Sequence, residues 1–382
     1  MNKSTDSELS LSPSTSCSSS SYQQLVSNDE TILMTKKSLC PVCGDISFNR
    51  HFGVNSCNAC AAFFRRSVAH QRRYICVRGK QCKLSFGNPR HMCRYCRFQR
   101  CILAGMEISA IFVQSNDEFR SFALDSPLRK ILLAQRATFV NRYSAQLKAY
   151  GNDHTVLQLG VENPTFSQTT ATIASEFSVL LEYLLTTGFA TDLGLSMQEI
   201  VTLAKANFYN WLCYQAIVNT LSHNFTYRNS GHKRKMGFFV DESHIQLDDK
   251  SIEAYVKTMP GLLDYESAIK STKQFFSTAL HTANQIHAAR MQEPEWATMF
   301  QVMSLKTAIK LFPKHAASCQ ETINELFSHL QRFYKKQFED YATRMGNLVL
   351  MMEMIEKCSR VFTEVSNIFY INGYNRFLTG GS

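Results

Sequence analysis

The residues with the clearest chemistry are cysteines, and their spacing is regular. Cys40-Pro-Val-Cys43 is followed, after thirteen intervening residues, by Cys57-Asn-Ala-Cys60. Cys76 and Cys82 come next with five residues between them, and Cys93-Arg-Tyr-Cys96 completes a second set. Two CxxC pairs at this separation can wrap one tetrahedral zinc, with each thiolate about 2.3 Å from the metal. Cys40, Cys43, Cys57 and Cys60 form one candidate quartet; Cys76, Cys82, Cys93 and Cys96 form the other. Both leave no ligand position for water, so the two zinc ions they call for are structural and not catalytic. The alternative is eight cysteines without metal. Three CxxC pairs within 57 residues, behind an N-terminus that lacks the apolar core of a secretion signal, argue against it. Cys101 is a ninth thiol and reads as a buried packing residue, because both quartets are already complete.

The charge follows the cysteines. The segment from Lys36 to Met106 holds 14 of the 41 lysines and arginines but one of the 31 acids, Asp45. Its local net charge is +13, and the remainder of the chain carries −3. Positive charge confined to one small module is the footprint of a polyanion partner. Between the two cysteine sets, Asn58 to His70 reads as a helix. Phe63 and Phe64 fall on its inward face, while Asn58, Ala61, Arg65 and Arg66 share another. Small residues near the start permit close approach to a groove floor, and the two arginines can reach bases or phosphates.

These elements must be placed by the rest of the chain. Residues 1–35 are Ser-rich, nearly without aromatics, and read as a disordered tail. Residues 36–112 form the cysteine-rich module, and 113–165 read as a hinge with a helical segment from Leu128 to Tyr150. Residues 166–382 carry apolar residues at helical spacing, as in Phe177, Leu180, Leu181 and Leu184, or Ile200, Leu203, Ala204, Phe208 and Trp211. Tyr227 to Leu247 reads as a small hairpin. Tyr341, Met345, Leu348, Met352 and Ile355 form a stripe on one long last helix, extended by Phe362 and Phe369. Met351, Met352 and Met354 suit either a pliable pocket lining or plain core, two roles their spacing does not separate. His232-Lys-Arg-Lys235 reads as a solvated basic loop or an import signal. No segment reaches the roughly 18 uninterrupted apolar residues of a spanning helix. No Ser/His/Asp order, glycine-rich phosphate loop or HExxH motif appears, so an enzyme is not expected.

The cysteine spacing, the run Ala61-Ala62-Phe63-Phe64-Arg65-Arg66-Ser67, and Cys93-Arg-Tyr-Cys96-Arg97-Phe98-Gln-Arg100-Cys101 with Gly105-Met106 resemble the nuclear receptor DNA-binding domain. The Cys57-Asn-Ala-Cys60-Ala-Ala form is similar to the large nematode-expanded branch of that family. The C-terminal half resembles its ligand-binding domains through Glu182-Tyr183-Leu184-Leu185, Trp211 with Phe208, and Tyr341-Ala-x-Arg344-x-Gly346-x-Leu348. The resemblance implies a multidomain fold. A small two-zinc DNA-binding domain, α with irregular loops, would precede a mostly all-α helical-sandwich ligand-binding domain.

It also implies roles. The helix from Asn58 would lie in the major groove of double-stranded DNA. Asn58 stands where the family discriminates half-sites, and Arg66 where an arginine reads guanine. His51, Arg65, Arg73, Arg94 and Arg97 stand at or near backbone-contacting positions. Ala61 replaces a base-reading lysine, and Phe52 replaces a tyrosine. Ten residues separate Cys82 from Cys93 where nine is usual, which alters the second finger and any dimer contact through Val77 to Gln81. The expected protein is a nuclear transcription regulator, with a small lipophilic ligand, a homo- or heterodimer and transcriptional coregulators as the partners the family implies. The coactivator charge clamp is expected to be absent or altered. Leu184-Leu185-Thr186-Thr187 stands where its lysine belongs, and the only activation-helix pattern, Val361 to Val365, lies within the last long helix. The rival reading, a zinc-dependent protein-interaction or corepressor module like LIM or RING, fits poorly with sequential all-Cys quartets.

Overall fold

The structure is a computed structural model that describes residues 38–69, 74, 82, 93–107, 126–150, 162–222, 226–229, 232–241 and 243–372. The Ser-rich tail, Arg73, Cys76, Val77 to Gln81 and the long Cys82–Cys93 interval lie outside the described residues.

Among its described residues, the cysteine-rich module has two small antiparallel pairs and two helices. Strand β1 (Ser38–Leu39) pairs with β2 (Ile46–Ser47), and β3 (Arg50–His51) pairs with β4 (Val54–Asn55). The β3–β4 turn is Phe52-Gly53, with φ of 51° and 85°. Two positive φ values in a two-residue loop are the type I′ hairpin signature, in which Asn or Gly usually takes the first place. Phe52 accepts this conformation because its ring packs on Phe64, centroids 5.7 Å apart. Helix α1 (Asn58–Ala69) and helix α2 (Arg94–Leu103) then cross over a shared aromatic core. Phe64 meets Phe98 at 5.9 Å, and Phe63 stacks on Tyr74 at 5.6 Å. Phe63 and Phe64 are both buried, as their helical spacing requires.

The helical domain begins with α3 (Pro127–Tyr150), followed by α4 (Phe166–Thr186), the short α5 (Phe189–Asp192) and α6 (Met197–Ser222). After the sheet come α7 (Asp249–Lys257), α8 (Tyr265–Ala288), α9 (Glu293–Leu311), α10 (Ala316–Lys335) and α11 (Tyr341–Ile371). The side chains of Trp211, Tyr183, Tyr214 and Phe300 interlock at its centre, with Trp211 and Phe300 5.0 Å apart. Thr165 opens α4 with a capping box closed by Gln168, satisfying orphan donors at the helix start.

Two expectations are corrected. The hairpin at Tyr227 to Leu247 is a three-stranded antiparallel sheet, β5 (Thr226–Asn229), β6 (His232–Phe238) and β7 (His244–Gln246), so His232 to Lys235 lies in a strand and not in a loop. Strand β7 is too short for its alternation around buried Ile245 to stand out in the sequence. The second correction concerns the hinge helix. Leu128, Ile131, Leu132 and Ala134 of α3 are part of the helical domain's core, and Arg136 grips Glu293 of α9 with two hydrogen bonds of 3.0 and 2.8 Å. Arg142 is fully paired with the buried carboxylate of Glu176, which also accepts the Trp211 indole N–H at 2.9 Å. On the opposite face of α3, Leu133 and Val140 pack with the core of the cysteine-rich module. A helix covered on two opposite faces shows no single apolar stripe, which hides its role from pattern reading.

A second polar knot ties the start of α9 to α10 and α11. Buried Glu295 accepts from Tyr334 Oη at 2.7 Å and from Arg344 Nη2 at 2.7 Å. Arg344 is one of the residues in the C-terminal resemblance, and it also donates to the Arg290 carbonyl at 2.8 Å. No helix among the described residues is long and apolar enough to cross a membrane.

Candidate metal centres and DNA interface

The first quartet is fully assembled. The Sγ atoms of Cys40, Cys43, Cys57 and Cys60 all lie within 4.8 Å of one another, and those of Cys43 and Cys57 are 3.5 Å apart. Four thiolates at about 2.3 Å from a tetrahedral zinc are separated by about 3.8 Å, so the cluster fits the ion. The thiol protons are in conflict. A hydrogen bond with Cys60 holds Cys40 down at about 4 despite its burial, while that same bond and burial drive Cys60 far above the usual thiol range. Burial also pushes Cys43 up to about 11. A divalent cation that takes all four as thiolates removes this conflict and couples metal binding to folding.

In the second set, Cys82, Cys93 and Cys96 converge within the same distance, and Cys76 lies outside the described residues. The Cys93 sulfur also caps α2 by accepting from the Cys96 N–H at 3.4 Å. The two clusters are the ligand sets of two structural zinc ions. Cys101 is fully buried beside the first cluster and its thiol is pushed up to about 12 by burial, as a packing residue should be.

Helix α1 starts directly at the first cluster, with the Cys60 and Ala61 N–H groups both bonded to the Cys57 carbonyl. Asn58, Arg65 and Arg66 are exposed along it, and Arg94 is exposed at the start of α2. His51 of β3 is half-buried, with Nε2 at 3.0 Å from Asn58 Oδ1, so the hairpin and the helix start are linked by side chains. Two expected interface residues are placed differently. Ala61 is only 6% exposed. Arg97 turns inward. Its Nη2 donates to Cys60 Sγ at 3.2 Å, and its guanidinium lies 4.8 Å from the Phe63 ring centroid. This inward role was missed because spacing alone cannot separate an arginine facing phosphate from one facing a thiolate.

The helical domain encloses an apolar cavity of about 70 Å³ between α4, α6, α8, α11 and the sheet. It is lined by phenylalanines, among them Phe166, Phe239, Phe275, Phe276 and Phe362. The methionine segment does not line it. Met351 and Met352 are buried in the main core instead. At the end of α4, Thr187 is fully buried and donates to the Leu184 carbonyl at 3.0 Å. The pattern Val361 to Val365 lies inside α11, with no break between them.

The comparisons with known proteins agree with this architecture. The family model described as "Double treble clef zinc finger, C4 type" matches residues 38–108, and "Ligand-binding domain of nuclear hormone receptor" matches residues 174–372. Among curated relatives, the chain is 46% identical over 77 residues to "Nuclear hormone receptor family member nhr-14" of Caenorhabditis elegans, a stretch covering 20% of this chain and 18% of that protein. It is 51% identical over 75 residues to nhr-28 of the same organism, covering 20% and 17% of the two chains. It is 42% identical over 73 residues to "Nuclear receptor subfamily 5 group A member 2" of Mus musculus, covering 19% and 13%. The aligned stretches thus span less than a fifth of each relative. The ligand-binding-domain match alone covers more than half of this chain, which belongs to the nuclear hormone receptor family.

Proposed function

We propose that this chain is a nuclear, sequence-specific DNA-binding regulator of RNA polymerase II transcription, from the nematode-expanded branch of the nuclear receptors. The observation that carries the reading is the exposed set Asn58, Arg65 and Arg66 on a helix anchored at its first turn by a closed four-cysteine site. The motif Cys57-Asn58-Ala59-Cys60-Ala61-Ala62 and the Caenorhabditis elegans relatives support the branch. Asn58 and Arg66 read bases, with Arg66 bidentate to guanine, while Arg65, Arg73 and Arg94 engage phosphates and His51 orients Asn58. Ala61 contributes no base contact, so the preferred site differs from that of a receptor carrying lysine there.

The helical domain holds a lipophilic ligand in its aromatic cavity and recruits coregulators without the usual charge clamp, since Thr187 is buried and Glu364 is locked within α11. Exposed Val349 and Leu350 on α11 support homo- or heterodimerisation. Selection of bound sites from random duplexes by the purified, zinc-loaded full chain tests the proposal. Enrichment of one half-site sequence is the expected result, and recovery of unselected sequence would refute it.

A further inference from the structure

We propose that the cavity of the helical domain is built for a small, neutral, wholly apolar ligand on the scale of a single ring, and that it excludes carboxylates such as fatty acids. The inference rests on the reading of this cavity as the ligand site.

Among the described residues, its lining contains no charged side chain. The three threonine hydroxyls on its wall are spent on the protein. Thr169, Thr220 and Thr272 donate their hydroxyls to the carbonyls of Thr165, Ala216 and Ala268, one turn back in their own helices, at 3.2, 2.8 and 2.8 Å. Cys213, on the same wall, is fully buried, and burial drives its thiol well above the usual range, so it stays neutral. An ionised carboxylate entering here would give up its water and meet neither a cation nor a spare hydroxyl donor from these threonines, a strongly unfavourable transfer.

Size sets the second limit. The cavity measures about 70 Å³. An engineered apolar cavity of about 150 Å³ admits benzene, so one ring is accommodated only after modest shifts of the wall. The wall that can give is aromatic. Phe275 and Phe276 are adjacent on α8, and Phe275 leans on Phe362 of α11 with centroids 4.9 Å apart. The strand side is tight, because a Cβ placed on Gly237 would sit 2.8 Å from Leu247 Cδ2 and 3.3 Å from Phe276 Cδ1. A long chain or a fused-ring skeleton would have to displace packed strand and helix together.

The test uses the zinc-loaded full chain, with benzene and decanoate as probes in thermal unfolding and titration calorimetry. Benzene is expected to raise the melting temperature and to bind at least about tenfold more tightly than decanoate, since only the latter buries a charge. Ala216→Leu and, separately, Ala279→Leu fill the cavity and should abolish the benzene shift. The wild-type comparison stands by itself if either variant fails to fold. Decanoate binding as tightly as benzene overturns the ligand class alone. A benzene shift that survives in well-folded cavity-filled variants overturns the location. Binding of neither probe, with DNA binding intact, overturns the proposal together with the ligand-site reading beneath it.

Discussion

Arg97 donates to the Sγ of Cys60 at 3.2 Å while its guanidinium covers the Phe63 ring. One residue of α2 thus reaches the first metal site and the inward face of α1 at once. A thiolate that accepts a charge-assisted hydrogen bond is held in its ligating orientation, and the arginine completes the outer shell of the zinc.

Arg97→Lys keeps the charge but loses the planar fork and the ring contact. Zinc affinity of the first site is expected to fall by about 10- to 100-fold, as outer-shell changes typically do. Arg94→Ala, at an exposed position, should leave zinc content unchanged, weaken DNA binding across all sequences, and reduce the salt slope by about one. Competition with a chromogenic chelator and salt-dependent binding assays distinguish the two variants.

Zinc removal should act on the cysteine-rich module alone. The cysteine-rich core and the main helical core are separate clusters, and both tryptophans, Trp211 and Trp296, pack in the latter. A strong chelator is expected to abolish DNA binding while tryptophan emission stays near its native value. A simultaneous red shift of the emission would contradict this separation.

Glu176 has no exposed surface, and it satisfies both Arg142 and the Trp211 indole. Glu176→Ala strands a buried guanidinium and an indole N–H, at a cost of about 3–5 kcal/mol. Replacing Glu176 and Arg142 together by apolar residues should cost less than the single change. Urea unfolding of the two variants against the wild type reads the difference.

Val140 is buried against the cysteine-rich core from the face of α3 opposite to Leu128 and Ile131. Val140→Asp should release the cysteine-rich module from α3 while leaving both cores folded. Small-angle scattering is expected to show a larger radius of gyration, with zinc content unchanged. An unchanged radius would show that this contact does not hold the two parts together.

The zinc ligands were legible because metal coordination dictates both residue type and interval, and the helices at 166–186 and 341–371 because one-sided burial leaves a periodic trace. Other features follow from partners that are remote in sequence. Arg97 finds Cys60 across 37 positions, and Arg142 finds Glu176 across 34. Neither pairing has a local signature. The α3 helix read as a hinge because burial on two faces cancels the stripe. Methionines suit a pliable pocket and a core equally, and the fold puts Met351 and Met352 in the main core while lining the cavity with phenylalanine. Phe52 took a positive φ that its residue type does not suggest, because tertiary packing on Phe64 overrides the local preference.

The central claim is that exposed residues of α1 read DNA from a zinc-anchored frame. The most direct measurement is fluorescence anisotropy of the zinc-loaded full chain on its selected duplex and on duplexes mutated at each position, comparing wild type with Arg66→Ala. The variant should lose about 1–3 kcal/mol on the selected site and become indifferent to one base pair, with the remaining positions still discriminated. Uniform weakening on every sequence, or no change on any, would contradict base reading by Arg66 and with it the assignment of α1 as the reading head.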